Sequence, residues 1–251
     1  MIRRLRTDLA AAVGFFTRLP VGVLMPRDPH VDMAGATWAF PIAGALAGSC
    51  GAAIYAIMAR AGLAPALSAC WSVAAMLLLT GALHEDGLAD MADGFGGGRS
   101  VSRKLEIMRD SRIGSYGALA LLVSVLVRVT ALTELAAPAR VGAALIASGA
   151  LSRAAVVPVL MLLPPARRDG LASALHPVPR VPAILAMGLA LLLAALALRG
   201  WTILTACACA LIVPLVVARL ARRQVGGHTG DILGACAVLT ECAVLTGLCV
   251  R

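Results

Sequence analysis

The residues of this chain that are best suited to chemistry are the carboxylates of one polar stretch between apolar segments. This stretch, His84 to Gly117, holds six of the 13 acidic residues. In a helix, the i, i+4, i+7 spacing places Asp86, Asp90 and Asp93 on one face. Neighbouring carboxylates repel one another, and oxygen-only ligands suit Mg²⁺, which also binds substrate phosphates. The spacing predicts a magnesium site; the alternative is a solvated helix start stabilised by the helix dipole.

Two segments that follow these aspartates could bind phosphate. The first is a glycine run, 94–98, predicted to be a loop after the acidic helix, in which Gly96 and Gly97 could direct backbone N–H groups toward phosphate or could simply be flexible. No Walker lysine follows it, so it is not an ATP-binding P-loop. The second holds Arg109, Ser111 and Arg112, and its planar guanidinium groups suit phosphate oxygens. The alternative is a basic flank of the next membrane span.

A third polar motif, GGHTGDILGA at 226–235, lies near the end of the chain. We predict that His228 and Thr229 contact the substrate. Asp231 either caps a helix, a contribution of about 1 kcal/mol, or completes the metal site from a second helix. His84 precedes the aspartates and is a candidate general base, a metal neighbour or an interface residue.

A few charged residues lie within apolar runs, where they are costly. Glu241 is therefore a candidate functional residue, and Arg153, beside Ser152, could contact a polar substrate. Arg128 is left open between a structural and a functional role. Of the remaining histidines, His30 and His176 are assigned to ordinary loops, as is typical of polar connections.

Composition predicts an all-α polytopic membrane protein. The 251 residues are 60% hydrophobic and 14% charged, with a mean hydropathy of +0.90, and apolar runs of about twenty residues can each cross a bilayer. We predict an interfacial helix within 1–37 and a single catalytic domain, 1–251, whose polar connection is 84–113. The predicted spans are 38–59, 65–83, 114–135, 141–163, 181–198, 201–218 and 231–250.

The seven cysteines lie in apolar runs without a C-x-x-C pair and predict no disulfide or zinc site.

The distribution of basic residues predicts orientation. With the N-terminus in the cytoplasm, 16 of the 22 Lys and Arg residues lie on the cytoplasmic side and four on the other. The net charge of +9 therefore indicates a topology signal and contacts with anionic groups, rather than nucleic-acid binding. All the polar motifs fall on the predicted cytoplasmic side.

Taken together, the motifs resemble those of the cobalamin synthase family, the adenosylcobinamide-GDP ribazoletransferases. The resemblance covers the whole chain and is weakest over 164–225. It rests on FFTRLP at 15–20, FPIAGALAG at 40–48, GALHEDGLADMADGF at 81–95, RDSRIGSYG at 109–117 and GGHTGDILGA at 226–235.

The resemblance implies a Mg²⁺-dependent enzyme of the bacterial inner membrane with its active site facing the cytoplasm. It would join adenosylcobinamide-GDP to α-ribazole or its 5′-phosphate, releasing GMP. It implies these small molecules and the bilayer as partners, and is compatible with a homo-oligomer and with association with other cobalamin-assembly enzymes. Asp86, Asp90, Asp93 and Asp231 would hold the metal, Arg109 and Arg112 would offset phosphate charge, and His84 or a carboxylate would accept the proton.

Two functions other than that of a ribazoletransferase could use the same carboxylates. A CDP-alcohol-type lipid phosphotransferase would use the same chemistry with another alcohol, although its aspartate spacing differs. A carboxylate-based ion or metabolite transporter would place its charged site near the bilayer midplane, often within repeats. The carboxylates here lie at the predicted cytoplasmic edge and no internal repeat is evident, so the sequence favours an enzyme.

Overall fold

The fold is entirely helical over the residues that the computed structural model describes, 2–25, 32–167 and 170–250. Those ranges contain no β-strand, which confirms the all-α prediction. His30 lies outside them. The helices are α1 Ile2–Phe16, α2 Phe40–Arg60, α3 Pro65–Thr80, α4 Leu83–Gly97, α5 Val101–Ile107, α6 Ser115–Leu135, α7 Pro138–Ala154, α8 Val156–Leu162, α9 Leu171–Ala174, α10 Arg180–Ala197, α11 Thr202–Val225 and α12 Gly230–Gly247, with 3₁₀ turns at Val21–Leu24 and Gly35–Ala39.

Six helical segments are long and apolar enough to cross a membrane, which confirms a polytopic membrane protein. They are Gly35–Arg60, Ser115–Leu135, Pro138–Leu162, Arg180–Ala197, Thr202–Val225 and Gly230–Gly247. The second predicted span corresponds to α3, which ends at Thr80, three residues earlier than predicted. There the chain bends by 90° into α4, so α3 and α4 together make a seventh, broken span or a re-entrant segment.

Helix α1 supplies the predicted N-terminal helix. Its arginines at positions 3, 4 and 6 are exposed, whereas Ala10, Ala12 and Phe16 are buried against α2 and the turn that precedes it. The indole Nε1 of Trp38 donates a hydrogen bond of 3.1 Å to Asp8 Oδ2. This contact fixes α1 against the segment that leads into α2.

Glycines allow α2 and α7 to pack with their backbones in direct contact. A Cβ added at Gly44 would collide with the carbonyl oxygen of Gly149, and one at Gly48 would collide with that of Leu145. Membrane helices use small residues in this way because lipid supplies no hydrophobic force between helices, so that close packing must stabilise the pair.

Four buried charged residues join four helices in the interior. Arg128 of α6 donates to Glu85 Oε1 of α4 at 2.7 Å and lies 3.6 Å from Glu241 Oε1 of α12. Arg153 of α7 donates to Glu241 Oε2 at 2.6 Å. These two arginines and two glutamates, here called the buried ion network, balance in charge. The network fixes α4 against α6, α7 and α12, on which the site below depends.

Candidate functional site

The candidate site forms where α4 crosses the start of α12. A Cβ added at Gly87 would lie 2.8 Å from the carbonyl oxygen of Asp231, and one at Gly234 would lie 3.2 Å from the Cα of His84. Any side chain at these glycines would separate the helices. Because neither glycine has a side chain, Asp231 can lie beside the aspartates of α4, which come about 140 residues earlier in the sequence.

Four carboxylates act on one another at this crossing. Asp90 is half-buried, and its negative charge is opposed first by desolvation and then by Asp86, Asp231 and Asp93. Arg167 counteracts the repulsion: its Nη1 lies 3.9 Å from Asp231 Oδ2. A cation would stabilise such a group of carboxylates; the metal site expected from the spacing on α4 stays a prediction.

The donor set suits Mg²⁺. Within the described ranges, no group of three or more His, Cys, Asp or Glu side chains is arranged so that it could hold a metal ion by itself. Mg²⁺ does not need a closed site, because it takes one or two carboxylates and completes its shell with water and substrate phosphates. Asp86, Asp90 and Asp231 supply oxygen ligands of that kind beside an open cavity.

A cavity of about 280 Å³ adjoins these carboxylates. Its polar lining consists of Asp86, Arg167, Thr229 and Asp231, whereas Phe15, Phe16 and Phe40, whose rings contact one another, form a second part, here called the aromatic end. His84 and His228 also line it; they are 3% and 1% exposed, and neither ring has a hydrogen-bond partner in the described structure. The cavity therefore offers two unsatisfied imidazoles together with charged and aromatic side chains.

His228 is held in place by its backbone. Its N–H donates to Pro164 O at 2.9 Å, and its carbonyl accepts from Ala166 N at 2.8 Å. Burial, with a smaller effect of His176, lowers the pKa of His228 to about 4, so its imidazole is neutral at pH 7. The next residue, Thr229, caps α12 by accepting from Ile232 N at 3.3 Å, and its hydroxyl donates to Asp231 Oδ2 at 3.2 Å.

Asp93 has different partners from the other aspartates. Its Oδ2 accepts from the backbone N–H of Gly114 at 2.7 Å, and its Oδ1 accepts from that of Gly117 at 2.9 Å. A carboxylate at a helix N-terminus satisfies N–H groups that otherwise have no partner. We therefore assign Asp93 to the start of α6 and place it outside the metal ligands in the proposal below.

The glycine run is not a loop, so that prediction of local structure is wrong. Helix α4 continues through Gly96 and Gly97 and ends at Gly97. A Cβ at Gly96 would lie 2.7 Å from the ring of Tyr116. Close packing of α4 on α6 thus explains the small residue, and in this conformation the backbone N–H groups are turned along the helix.

The predicted phosphate-binding arginines lie outside the cavity lining. Arg112 is exposed, and its Nη2 donates to Asp110 Oδ2 at 2.6 Å. This hydrogen bond lowers the pKa of Asp110 to about 2. Ser111 and Arg109 are also exposed. The cation that the structure places beside the carboxylates is Arg167, which sequence reasoning missed; it is the first of two adjacent arginines after Pro-Pro-Ala, a pattern with no specific signal.

Arg153 also lies away from the cavity lining. It is 4% exposed and belongs to the buried ion network, where it bonds Glu241 and the hydroxyl of Ser152. Of the predicted residues, the structure gathers His84, Asp86, His228, Thr229 and Asp231 around the cavity, with Asp90 adjacent.

Comparison with known proteins identifies the family of the chain. The family description of cobalamin-5-phosphate synthase matches residues 8–249. The chain belongs to the cobalamin-5-phosphate synthase family. The match spans both α4 and the start of α12, so the crossing that forms the site lies within the family's sequence pattern. No solved structure matches the chain.

Curated relatives of this cobalamin-5-phosphate synthase family member carry one name, adenosylcobinamide-GDP ribazoletransferase. The protein of Bradyrhizobium diazoefficiens is 47% identical over 244 residues, covering 97% of this chain and 94% of the relative. Those of Mesorhizobium japonicum and Azorhizobium caulinodans are each 44% identical, covering 97% and 98% of this chain and 93% and 96% of the relatives. These proteins are therefore similar over nearly their full lengths.

Proposed function

We propose that the chain is an adenosylcobinamide-GDP ribazoletransferase. A ribose hydroxyl of α-ribazole, or of its 5′-phosphate, attacks the phosphorus that carries cobinamide in the diphosphate. A new phosphodiester bond forms, and the bond to GMP breaks. Family membership and the relatives' names support the reaction. The structural observation that carries the proposal is the convergence of Asp86, Asp90 and Asp231 beside a cavity.

In this proposal the three carboxylates hold Mg²⁺. The ion would supply charge stabilisation at the diphosphate and its leaving phosphate. Asp86 and Asp231 line the cavity and would hold the ion on the side of the diphosphate, and the half-buried Asp90, which does not line the cavity, would add a further negative charge. Arg167, at the same end, would offset further phosphate charge.

The proton of the attacking hydroxyl requires an acceptor within the cavity. His84, the base predicted from the sequence, and His228 both line it with free ring nitrogens. A neutral imidazole can accept a proton from an adjacent hydroxyl as the new bond forms. We propose that one of these two histidines does so, and replacing each separately with Asn identifies which one.

The orientation in the membrane is also a proposal. The excess of Lys and Arg in alternate connections supports an arrangement in which the N-terminus and the carboxylates lie at the cytoplasmic face of a bacterial inner membrane. The substrates would then reach the site from the cytoplasm. The test places a cysteine at position 140, in a predicted outer connection, or at position 103, in a predicted inner one, and labels intact cells with a reagent that does not cross the membrane. Reaction at position 103 alone would reverse the proposed orientation.

Turnover by the purified protein in liposomes tests the function. Adenosylcobinamide-GDP, α-ribazole and Mg²⁺ are supplied, and GMP and a cobalamin product are measured by mass spectrometry, with and without EDTA. We expect equal amounts of both products, lost with EDTA. Absence of product from folded protein that instead accepts a lipid alcohol would replace this function with that of a lipid phosphotransferase.

A matched pair of variants tests the carboxylates. We expect Asp90→Asn to lower turnover by about a hundredfold or more, because the amide removes the charge that balances the metal. Glu106→Gln makes the same change at an exposed carboxylate of α5, paired with Arg103 at 2.8 Å, and should leave turnover unchanged. Equal activity of the two variants would remove Asp90 from the proposed site.

A further inference from the structure

Two of the sequence motifs have no role in the chemistry proposed so far. They are the Phe15–Phe16 pair of FFTRLP and Phe40, which opens FPIAGALAG. The fold brings these three rings together, although 24 positions separate the pair from Phe40: the centroids of Phe16 and Phe40 lie 4.7 Å apart, edge to face. All three line the cavity that holds the carboxylates.

The aromatic end of the cavity continues into a buried imidazole. The ring of His84 stacks on that of Phe16 with centroids 5.3 Å apart and an interplanar angle of 9°. His84 is 3% exposed, and neither of its nitrogens has a hydrogen-bond partner among the residues that the structure describes. A buried polar group without a partner costs about 1–3 kcal/mol, so this end of the cavity provides ring faces together with one unmet hydrogen-bonding group.

We infer that Phe15, Phe16, Phe40 and His84 form the subsite for the heteroaromatic base of the acceptor nucleoside. The inference rests on the proposed function. A bicyclic benzimidazole presents apolar faces and edges to the phenylalanines and a single ring nitrogen to His84. Its ribose then extends toward Asp86 and Asp231, where the hydroxyl must meet the diphosphate.

The other groups of the substrates fit this end poorly. Guanine and adenine carry several donors and acceptors on their edges, and the phenylalanine rings would leave these unpaired, at the cost of burial without partners. A corrin ring is too large, because the cavity of about 280 Å³ lies just below the range of about 300–1,000 Å³ for small-molecule sites. Size and polarity therefore both select the acceptor base.

Phe15 is the suitable position for a test because it is only half-buried, whereas Phe16 and Phe40 belong to the core. Phe15→Leu keeps an apolar side chain and removes the ring, and Phe15→Tyr keeps the ring. Phe95 is also half-buried and packs against the same core, but it does not line the cavity. Phe95→Leu is therefore the matched control.

The experiment measures the KM for each substrate separately in liposomes. We expect Phe15→Leu to raise the KM for α-ribazole about tenfold, the scale of a lost base–aromatic stack. In the same variant, the KM for adenosylcobinamide-GDP should stay within about twofold of its original value. Phe15→Tyr should keep the original KM for α-ribazole. Phe95→Leu should not raise the KM for α-ribazole relative to the KM for adenosylcobinamide-GDP. A rise confined to adenosylcobinamide-GDP, or equal in both substrates, would overturn the inference.

Equilibrium dialysis of radiolabelled α-ribazole and of GMP, without turnover, separates this inference from the proposed function. If the protein binds α-ribazole and Phe15→Leu weakens that binding but not that of GMP, the subsite stands even when no product forms. If product forms but Phe15→Leu leaves α-ribazole binding intact, the function stands and the subsite is wrong. If the folded protein binds no α-ribazole, the subsite is wrong as well.

Discussion

The buried ion network gives a quantitative prediction about stability. It contains two arginines and two glutamates, so its formal charges cancel. Glu241→Gln removes one negative charge and leaves Arg128 and Arg153 with Glu85 alone. The Nη1 of Arg153 then keeps the Ser152 hydroxyl, at 2.9 Å, and faces a neutral amide oxygen in place of the carboxylate. Because the side chains of Arg153 and Glu241 are 5% and 3% exposed, we expect the variant to lose about 3–5 kcal/mol of unfolding free energy.

A compensating change tests whether charge balance is the cause. Arg153→Met alone leaves Glu241 with Arg128 at 3.6 Å and should cost a similar amount. The double variant, Arg153→Met with Glu241→Gln, again has equal numbers of charges, since Arg128 keeps Glu85 at 2.7 Å. We expect it to be more stable than the sum of the two single changes predicts, by about 2 kcal/mol or more.

Unfolding in mixed micelles with increasing denaturing detergent, followed by circular dichroism, measures these differences. The matched control is the exposed pair Arg103–Glu106, at 2.8 Å, treated with the same Met and Gln substitutions. An exposed pair contributes about 1 kcal/mol or less. If the buried and exposed cycles gave equal energies, or if the buried double variant were only additive, the reasoning from burial would be refuted.

Three further predictions concern the polar connections. Asp93→Ala should cost about 1.5–3 kcal/mol, the scale of hydrogen bonds to a charged group, and should speed amide hydrogen exchange at the start of α6, whereas unchanged exchange there would contradict the capping role. Arg112→Ala should raise the pKa of Asp110 from about 2 toward an ordinary value of about 4 in an NMR titration. Because the pKa of Asp110 is lowered in the folded protein, its pairing with Arg112 favours folding at a pH above about 4, and this contribution is lost as the pH falls through about 2. The imidazole of His228, with its pKa of about 4, should remain neutral at pH 6 by ¹⁵N NMR, where an exposed histidine with a pKa of about 6.5 is mostly protonated; protonation at that pH would contradict its burial.

The spans could be predicted because length and hydropathy are local signals. Each predicted span overlaps a helix of the structure, and the missed ends have physical reasons. Helix α11 continues to Val225, seven residues past the predicted end at 218, because its last turns carry arginines that lower hydropathy without interrupting the helix. The 90° bend at Gly81 and Ala82 was not foreseen, since Ala82 adopts a φ of 55° that its residue type disfavours.

The partners of charged residues could be predicted only in part, because they depend on which helices cross. The i, i+4 spacing grouped Asp86 with Asp90, whose charges act on each other in the structure, and the motif around His228 predicted a second set of polar residues, which lines the same cavity. The same spacing also included Asp93, whose carboxylate instead meets the start of α6. Arg112 was predicted to contact phosphate, but in the structure it forms an ion pair with its neighbour Asp110. The arginine beside Asp231 is Arg167.

Helical geometry explains how one sequence motif serves both the interior and the site. Glu85 and Asp86 are adjacent, and successive side chains of a helix diverge by about 100°. Glu85 therefore meets Arg128 in the buried ion network, whereas Asp86 is exposed to the cavity. A change at Glu85 would act on the reaction by shifting α4 against α12, and so by moving Asp86 and Asp90 together relative to Asp231. The charges that fix α4 in the bundle thus also set the spacing of the carboxylates that we propose hold the metal.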